Sequence, residues 1–308
     1  MRLKHTPYDG SSAPFTIGLK PLALPDWIEV DDLLGAYLAE KDRLYATIPE
    51  NVFVAENDTH DAQAEVLQML AEHLPQRFPD TYVREGNGLR IVTADRTIRV
   101  ENVPTISPLV TASRLVQEDL VLMRRGENGW RLAAASLCFP SSWDLREKFG
   151  RPLADIHEPV PDFGRGTRAA GLIERMFDNL QGQAVQRFNW SLQAGPDLYH
   201  PLTNTQRNVR GTERPLWFPT EDPVAAAFIR VERQTLRKLP VSGDILFTIR
   251  IFVDPMRRLA SHPDGTKLAH SFADQLDLLD HNQLAYKGLV ADRDGLAERL
   301  RALASTTN

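Results

Sequence analysis

Apolar residues recur at helical spacing in two stretches of the first quarter of the chain. One runs from Asp31 to Leu44, and residues 61–74 repeat the pattern. Spacings of three and four residues place such side chains on one face of a helix. We therefore predict two amphipathic helices. We expect Pro75 to end the second one, because proline lacks the N–H that a helix interior needs.

Apolar runs rich in β-branched and aromatic residues dominate the middle of the chain and predict strands. The predicted strands cover residues 89–100 (two short strands), 113–123, 130–139, 187–192, 225–239 and 245–253. The segment RRGENG joins the strands 113–123 and 130–139, and its glycines permit the positive φ of a hairpin turn. These two strands are therefore expected to pair as a hairpin.

Helical spacing returns in four further segments, namely residues 143–149, 167–180, 264–279 and 284–303. We expect Ser141 to cap the first of these helices with Asp144 as its capping-box partner. Residues 193–223, with several Pro and Asn, predict a loop. The pattern as a whole favours an α+β fold, with an antiparallel sheet, helices on one side of it and helices at both ends.

No linker separates two cores, so we expect residues 1–308 to form a single domain. Residues 1–30 are rich in Pro, Gly and Ser and predict an extended N-terminal arm. Residues of about 80–260 would form the core of the sheet. Residues 261–308 would add the C-terminal helices.

The composition is that of an ordinary globular protein, with 42% hydrophobic and 25% charged residues. A net charge of -5 argues against a nucleic-acid partner, because such proteins usually carry a basic face. Cys138 is the single cysteine, which excludes an intrachain disulfide and any multi-cysteine metal site. No apolar run resembles a signal peptide or approaches the roughly 18 residues of a membrane helix. We expect a cytoplasmic protein without membrane contact.

Charged residues alternate along the strand FIRVERQTL, residues 228–236. Alternation places two sets on opposite faces: Arg230, Glu232 and Gln234 on one, and Val231, Arg233 and Thr235 on the other. The next strand carries an apolar row through Phe247 and Ile249. A charged row beside an apolar row suits the wall of a pocket for a ligand with an acidic edge. The alternative is a solvated sheet face with cross-strand ion pairs.

His157 lies in the segment IHEPVP, where Pro159 and Pro161 restrict the backbone that follows it. An imidazole held on a stiff turn is a good axial ligand for haem iron or a good general base. The alternative is a histidine hydrogen-bonded within a turn. His200 is a weaker candidate for the same role. Cys138 could also ligate iron, although a buried free cysteine usually behaves as a small hydrophobic residue.

Several common motifs are absent from the sequence. There is no GxGxxG or Walker segment for a nucleotide, no GxSxG elbow and no His-Glu-x-x-His pair. Glu118 and Asp119 are neighbours on a strand and point to opposite faces, so they do not form a two-carboxylate site. The sequence therefore offers no nicotinamide, flavin or ATP motif of its own.

Five segments together resemble a known family. They are LVQEDLVLM, LAAASLCFPSSWDLREKFGRPLADIHEPVP, NWSL, RVERQTLRKLP and ILFTIRIFVDP, preceded by GLKPLALPDWIEVDDLLGAYLAEKDRL. In this order they resemble the α subunit of haem-dependent oxidative N-demethylase, a relative of the haem subunit of dimethylamine monooxygenase. The resemblance covers residues of about 15–260.

The resemblance implies a PAS-like antiparallel sheet that binds haem b non-covalently. It implies O2-dependent removal of a methyl group from a secondary amine such as dimethylamine, giving formaldehyde and a primary amine. Electrons would come from a separate reductase subunit or another electron-transfer partner. The oligomeric state stays open. A non-catalytic haem-binding or haem-sensing PAS-like protein is the alternative, and an interaction scaffold without haem is a third reading.

Under this resemblance, His157 becomes the candidate axial ligand of the haem iron. Arg230 and Arg233 become candidates for the haem propionates, because guanidinium groups pair with carboxylates. Glu232 is the candidate catalytic residue at the amine pocket. Three aromatic residues are candidates for the walls around the haem: Tyr82, Trp143 and Trp190.

Overall fold

The computed structural model describes residues 3–101, 106–213 and 216–305. Within these ranges the chain forms ten strands and twelve α-helices. The strands are β1 (Lys20–Leu22), β2 (Phe53–Ala55), β3 (Tyr82–Glu85), β4 (Gly88–Ile91), β5 (Arg96–Arg99), β6 (Asp119–Gly126), β7 (Gly129–Ser136), β8 (Ala184–Gln193), β9 (Phe228–Lys238) and β10 (Ile245–Pro255). The helices are α1 (Leu34–Thr47), α2 (Pro49–Val52), α3 (His60–Arg77), α4 (Pro108–Ser113), α5 (Leu145–Lys148), α6 (Leu153–Ile156), α7 (Arg168–Asn179), α8 (Asn204–Glu213), α9 (Pro223–Ala226), α10 (Gly265–Asp277), α11 (His281–Lys287) and α12 (Arg293–Ser305).

Seven of the described strands form one large sheet in the order β1-β8-β9-β10-β6-β7-β2, and β3, β4 and β5 form a small one. Every neighbouring pair is antiparallel. The centre of the large sheet is the β9–β10 ribbon, paired from Phe228 and Pro255 to Lys238 and Ile245. The mixed α+β class and its antiparallel sheet are therefore confirmed.

The β6–β7 hairpin is also confirmed, and it turns between Gly126 and Gly129. Gly129 has a φ of +98°, a backbone conformation that only glycine adopts without strain. The first strand begins at Asp119 rather than at Ser113. The residues before it form α4, which starts at Pro108, a residue suited to the first turn of a helix.

Pro75 does not end its helix as expected but lies inside the last turn of α3. A proline there leaves the carbonyl four residues earlier, that of Ala71, without its helical donor. The guanidinium of Arg84 on β3 donates to that carbonyl at 2.9 Å. A donor from another element therefore replaces the missing N–H, and the helix continues to Arg77.

Three other local predictions are wrong. Asp144, not Ser141, caps α5 and accepts from the backbone N–H of Arg146 and Glu147. The predicted loop 193–223 contains α8. The predicted helix 284–303 is two helices, because Gly288 ends α11 in the left-handed conformation with a φ of +69°.

Helices cover both faces of the large sheet, rather than one side as expected. The back face carries Leu120 and Leu246 at one end, in a core cluster with residues of α3 and α4, and Ile229 and Val231 at the other, in a cluster with residues of α10 and α12. The front face packs against α7 and residues 141–163 in a third cluster. Within the described ranges, no helix has both the length and the apolar character needed to cross a membrane.

Candidate functional site

A cavity lies between the front face of the large sheet and the segments that cover it. The centre of a water molecule can reach about 250 Å³ of this space. One water molecule needs roughly 10–15 Å³ of such volume, so the cavity has room for on the order of twenty waters or one sizeable ligand. Its walls come from the N-terminal arm, the sheet, residues 141–163, α7, α8 and α11.

Most of the cavity wall is apolar. Strand alternation directs Phe247 and Ile249 of β10 into it from the sheet, and α7 supplies Ile173 and Phe177 from the opposite side. The predicted apolar row of β10 therefore lines a pocket. Walls of this kind suit a ligand with a large apolar body, fixed in place by a few polar groups.

His157 faces this cavity from the turn that follows α6. Its backbone N–H donates to Leu153 O at 3.1 Å, and its own carbonyl accepts from Val160 N at 2.8 Å. The ring lies edge-on to Phe163, with 6.5 Å between the ring centroids. In the part of the chain that the structure describes, the imidazole has no hydrogen-bond partner.

The surroundings of His157 keep its imidazole neutral. Burial, followed by the positive charges of Lys148 and Arg187, lowers the pKa of His157 to about 3. At neutral pH the ring therefore carries one N–H and one nitrogen lone pair. A neutral imidazole that presents a lone pair to a cavity can ligate a metal or accept a proton.

Four cationic side chains also line the cavity: Arg187, Lys148, Lys287 and Arg207. Burial lowers the pKa of Lys148 to about 7 and that of Lys287 to about 8, and it also lowers the pKa of Arg187. Such shifts show that the protein itself supplies too little negative charge to offset burial. An anionic ligand would supply that charge.

Glu232 of β9 is the one carboxylate among the described residues that line the cavity. Its side chain is 8% exposed, and its Oε2 accepts a hydrogen bond from Gln234 Nε2 at 2.7 Å. Both residues lie on the face that strand alternation predicted. Glu232 is therefore the candidate group for a cationic ligand or substrate.

Trp143 lines the cavity as well, and Lys148 Nζ lies 4.4 Å from its ring centroid. Of the seven candidates from the sequence, the structure therefore brings three to one cavity: His157, Trp143 and Glu232. The other four lie outside the cavity lining.

Arg230 shares a face of β9 with Glu232, but its guanidinium turns away from the cavity. It donates to four oxygens: Phe139 O at 2.8 Å, Gln193 Oε1 at 3.1 Å, and Leu198 O and Pro140 O at 3.2 Å. The side chain is buried, with 1% exposed. These contacts tie β9 to the end of β8 and to the segment after β7.

Arg233 lies on the back face of β9, because it is one position out of phase with Glu232. Its guanidinium contacts Trp27 O at 3.0 Å and Glu29 Oε1 at 3.0 Å. Tyr82 is buried in the small sheet and donates to Leu115 O at 2.8 Å. Trp190 also points to the back, where its Nε1 donates to Gln275 Oε1 at 2.8 Å.

Cys138 is fully buried, and burial raises the pKa of its thiol to about 12. Its side chain does not line the cavity. Within the described ranges, no group of three or more His, Cys, Asp or Glu side chains is placed to hold a metal ion. His157 is the one histidine among the described residues that line the cavity, so it is the candidate ligand for a metal there.

A family model described as "Haem-dependent oxidative N-demethylase, alpha subunit-like" matches residues 18–297. The match includes every residue named above as lining the cavity, and it confirms the resemblance drawn from the sequence segments. The description identifies haem as the cofactor of the family and places its members in an enzyme with more than one kind of subunit. The chain therefore belongs to the haem-dependent oxidative N-demethylase, alpha subunit-like, family.

Proposed function

We propose that this chain is a haem-dependent oxidative N-demethylase subunit that binds haem b non-covalently in the front cavity. His157 is the proposed axial ligand. One observation carries the proposal: a neutral imidazole faces a large apolar cavity and has no hydrogen-bond partner among the described residues. The PAS-like description of the sheet is part of the same proposal.

The residues of the cavity fit a haem group in three respects. The apolar walls from β10 and α7 suit the porphyrin body, and the imidazole suits the iron. The described lining residues include four cationic side chains and one carboxylate, Glu232, so positive charge is in excess. This excess suits a group that carries two carboxylates. Arg230 and Arg233 already bind protein oxygens, so we assign the propionates to cations of the cavity instead.

Glu232 is the proposed binding group for the substrate amine. Secondary amines are cations at neutral pH, and Glu232 is the one carboxylate among the described lining residues that can attract such a cation. Trp143 provides a flat wall for the cofactor or the substrate. The chain itself thus binds the amine, orients its methyl group and limits the access of water.

The proposed reaction is oxidation of one N-methyl group. For dimethylamine, one O2, two electrons and two protons give methylamine, formaldehyde and water. Haem iron supplies the O2 activation that this oxidation requires. The two electrons come from a separate reductase, in keeping with an alpha subunit that acts with a partner.

The first test is an absorption spectrum of the purified chain after haem supplementation. We expect a Soret band in the wild type and an altered ligation spectrum with lower haem retention in His157→Ala. His200→Ala is the matched control, because His200 does not line the cavity. An unchanged spectrum in His157→Ala would remove His157 as the ligand, and no Soret band in the wild type would overturn the proposal.

The second test measures formaldehyde release from dimethylamine with a reductant and O2. A haem protein that releases none across a panel of secondary amines would be a binding or sensing protein rather than a demethylase. Glu232→Gln should raise KM for the amine by roughly tenfold or more, because it removes a charged partner. Its Soret band should stay at the wild-type position.

A further inference from the structure

A second, smaller cavity lies beside the first, under the N-terminal arm. The centre of a water molecule reaches about 120 Å³ of it, which is room for on the order of ten waters. Four residues line both cavities: Phe15, Arg187, Asn189 and Lys287. We call these four residues the partition, since each of them lines both spaces.

The charge of the smaller cavity is of one sign. Within the described ranges, its ionisable lining residues are Lys20, Arg187 and Lys287, and no carboxylate joins them. Its other polar lining groups include Ser12, Thr16 and Gln186. Water in this space would be surrounded by cations and neutral polar groups, which is a suitable environment for an acid group.

The two cations of the partition have hydrogen-bonding capacity to spare. Arg187 Nε is buried and has no hydrogen-bond partner among the described residues. Lys287 Nζ donates to Trp190 O at 2.6 Å and lies 4.4 Å from the Trp190 ring centroid. An ammonium group has three N–H donors, so Lys287 can donate hydrogen bonds to further partners. Buried cations in this condition favour the binding of an anion.

The other two cations of the main cavity differ from Arg187 and Lys287 in position. Arg207 donates to Ser142 O and lies 5.7 Å from the Tyr286 ring centroid, and Lys148 lies over Trp143. Neither lines the smaller cavity. A ligand that extends toward Arg207 or Lys148 would therefore not gain the space and water behind the partition.

We propose that Arg187 and Lys287 bind the carboxylates of a tetrapyrrole whose apolar body occupies the main cavity. This assignment rests on the proposed function and narrows it to two named residues. The partition then acts as the anchor of the acid edge, and the smaller cavity gives the carboxylates access to water on its far side. It follows that binding should weaken to a similar extent whether the carboxylates are removed from the ligand or the two cations are removed from the protein.

The test compares protoporphyrin IX with its dimethyl ester in fluorescence titrations. Both probes lack iron, so ligation by His157 does not contribute to the result. In the wild type the ester should bind about tenfold or more weakly, because it cannot form charge-assisted hydrogen bonds. In the double variant Arg187→Gln, Lys287→Gln this ratio should fall below about threefold, since the acid loses the same bonds.

Two variants control the comparison. Arg207→Gln removes a cation of the main cavity outside the partition and should keep the wild-type ratio between acid and ester. The double variant Arg187→Lys, Lys287→Arg keeps both positive charges. It should therefore retain most of the wild-type difference in affinity between acid and ester. Circular dichroism and urea midpoints establish that each variant is folded, and single Gln variants replace the double one if it does not fold.

The outcomes separate this assignment from the proposed function. Equal binding of acid and ester by the wild type, or an unchanged ratio in the Gln variants, would overturn the role of the partition while haem binding stands. A ratio that falls in Arg207→Gln instead would assign the acid edge to Arg207 and also overturn the assignment. A wild type that binds neither haem nor either porphyrin would overturn the proposed function and this assignment with it.

Discussion

Glu29 offers a quantitative test of how the N-terminal arm is attached to the back of the sheet. Its carboxylate contacts Lys4 Nζ at 2.8 Å, His5 Nε2 at 2.9 Å and Arg233 Nε at 3.0 Å. Burial alone would raise its pKa, but the hydrogen bonds and charges of His5, Lys4 and Arg233 outweigh burial and lower the pKa to about 2. The folded state therefore favours the ionised form, and Glu29→Gln should destabilise it.

The size of the effect follows from the pKa shift. A change from 4.5 to about 2 corresponds to an upper limit of about 3.4 kcal/mol at neutral pH. Lys4 is 41% exposed, so solvent screening reduces this figure to about 2 kcal/mol. Because the folded pKa is depressed, this stabilisation is complete well above pH 4.5 and is lost as the pH falls toward 2.

The assay is urea unfolding of wild type and Glu29→Gln at pH 7 and at pH 3.5. The variant should lose about 2 kcal/mol of unfolding free energy at pH 7, and the loss should be about 1 kcal/mol smaller at pH 3.5. Glu40→Gln is the matched control, because Glu40 pairs with the exposed Arg43 and its replacement should leave the urea midpoint close to that of the wild type. An equal loss for Glu29→Gln at both pH values would refute the reasoning.

Three further predictions concern the core, the cavity and a helix end. Arg250 is fully buried and contacts Asp31 Oδ2 at 2.7 Å, so Arg250→Met should cost about 3 kcal/mol in urea unfolding, with part of the loss recovered when Asp31→Asn is added. Full additivity of the two changes would contradict that pairing. Ile173→Trp should fill part of the cavity and weaken porphyrin binding about tenfold or more in a fluorescence titration, whereas Ile173→Val should bind normally; equal binding by both would place the ligand elsewhere. Gly288→Ala should lower the unfolding free energy by about 1 kcal/mol, because alanine is strained at a φ of +69°, and no change would mean that the turn relaxes.

The sheet could be predicted because the signal for its strands is local. Alternation along FIRVERQTL and ILFTIRIFVDP set the two faces of β9 and β10, and the structure keeps that assignment residue by residue. Alternation alone therefore predicts the side of the sheet on which Glu232 and Phe247 lie, although it does not identify the residues that surround them. Helix α7, which begins at its Thr167 cap as the spacing implied, follows the same logic.

The departures from prediction share a different cause, since each depends on a partner distant in the sequence. Alternation places Arg230 beside Glu232, but the direction of its guanidinium is set by the carbonyls of Phe139 and Pro140, about ninety residues earlier. The helical place of Pro75 depends on Arg84 in a separate sheet. No periodicity along the chain contains such information.

The cationic wall was missed for the same reason. Arg187 reads as one charged residue in a short strand until β8 is known to pair with β9, which sets it opposite Gln234 and beside Glu232. Lys287 falls in the first turn of the predicted helix 284–303, where nothing in the sequence shows that it faces a cavity. The alternation of Arg187, Asn189 and Ser191 along β8 was a usable signal, because it marks a polar row on a strand whose partner also carries one.

The wall of the front cavity begins at Phe15 and ends at Lys287. A nascent chain therefore lacks part of the enclosure until Lys287 has left the ribosome. The compartment closes only when Phe15 and Lys287 are both in place, so an occupant can be enclosed only after that point.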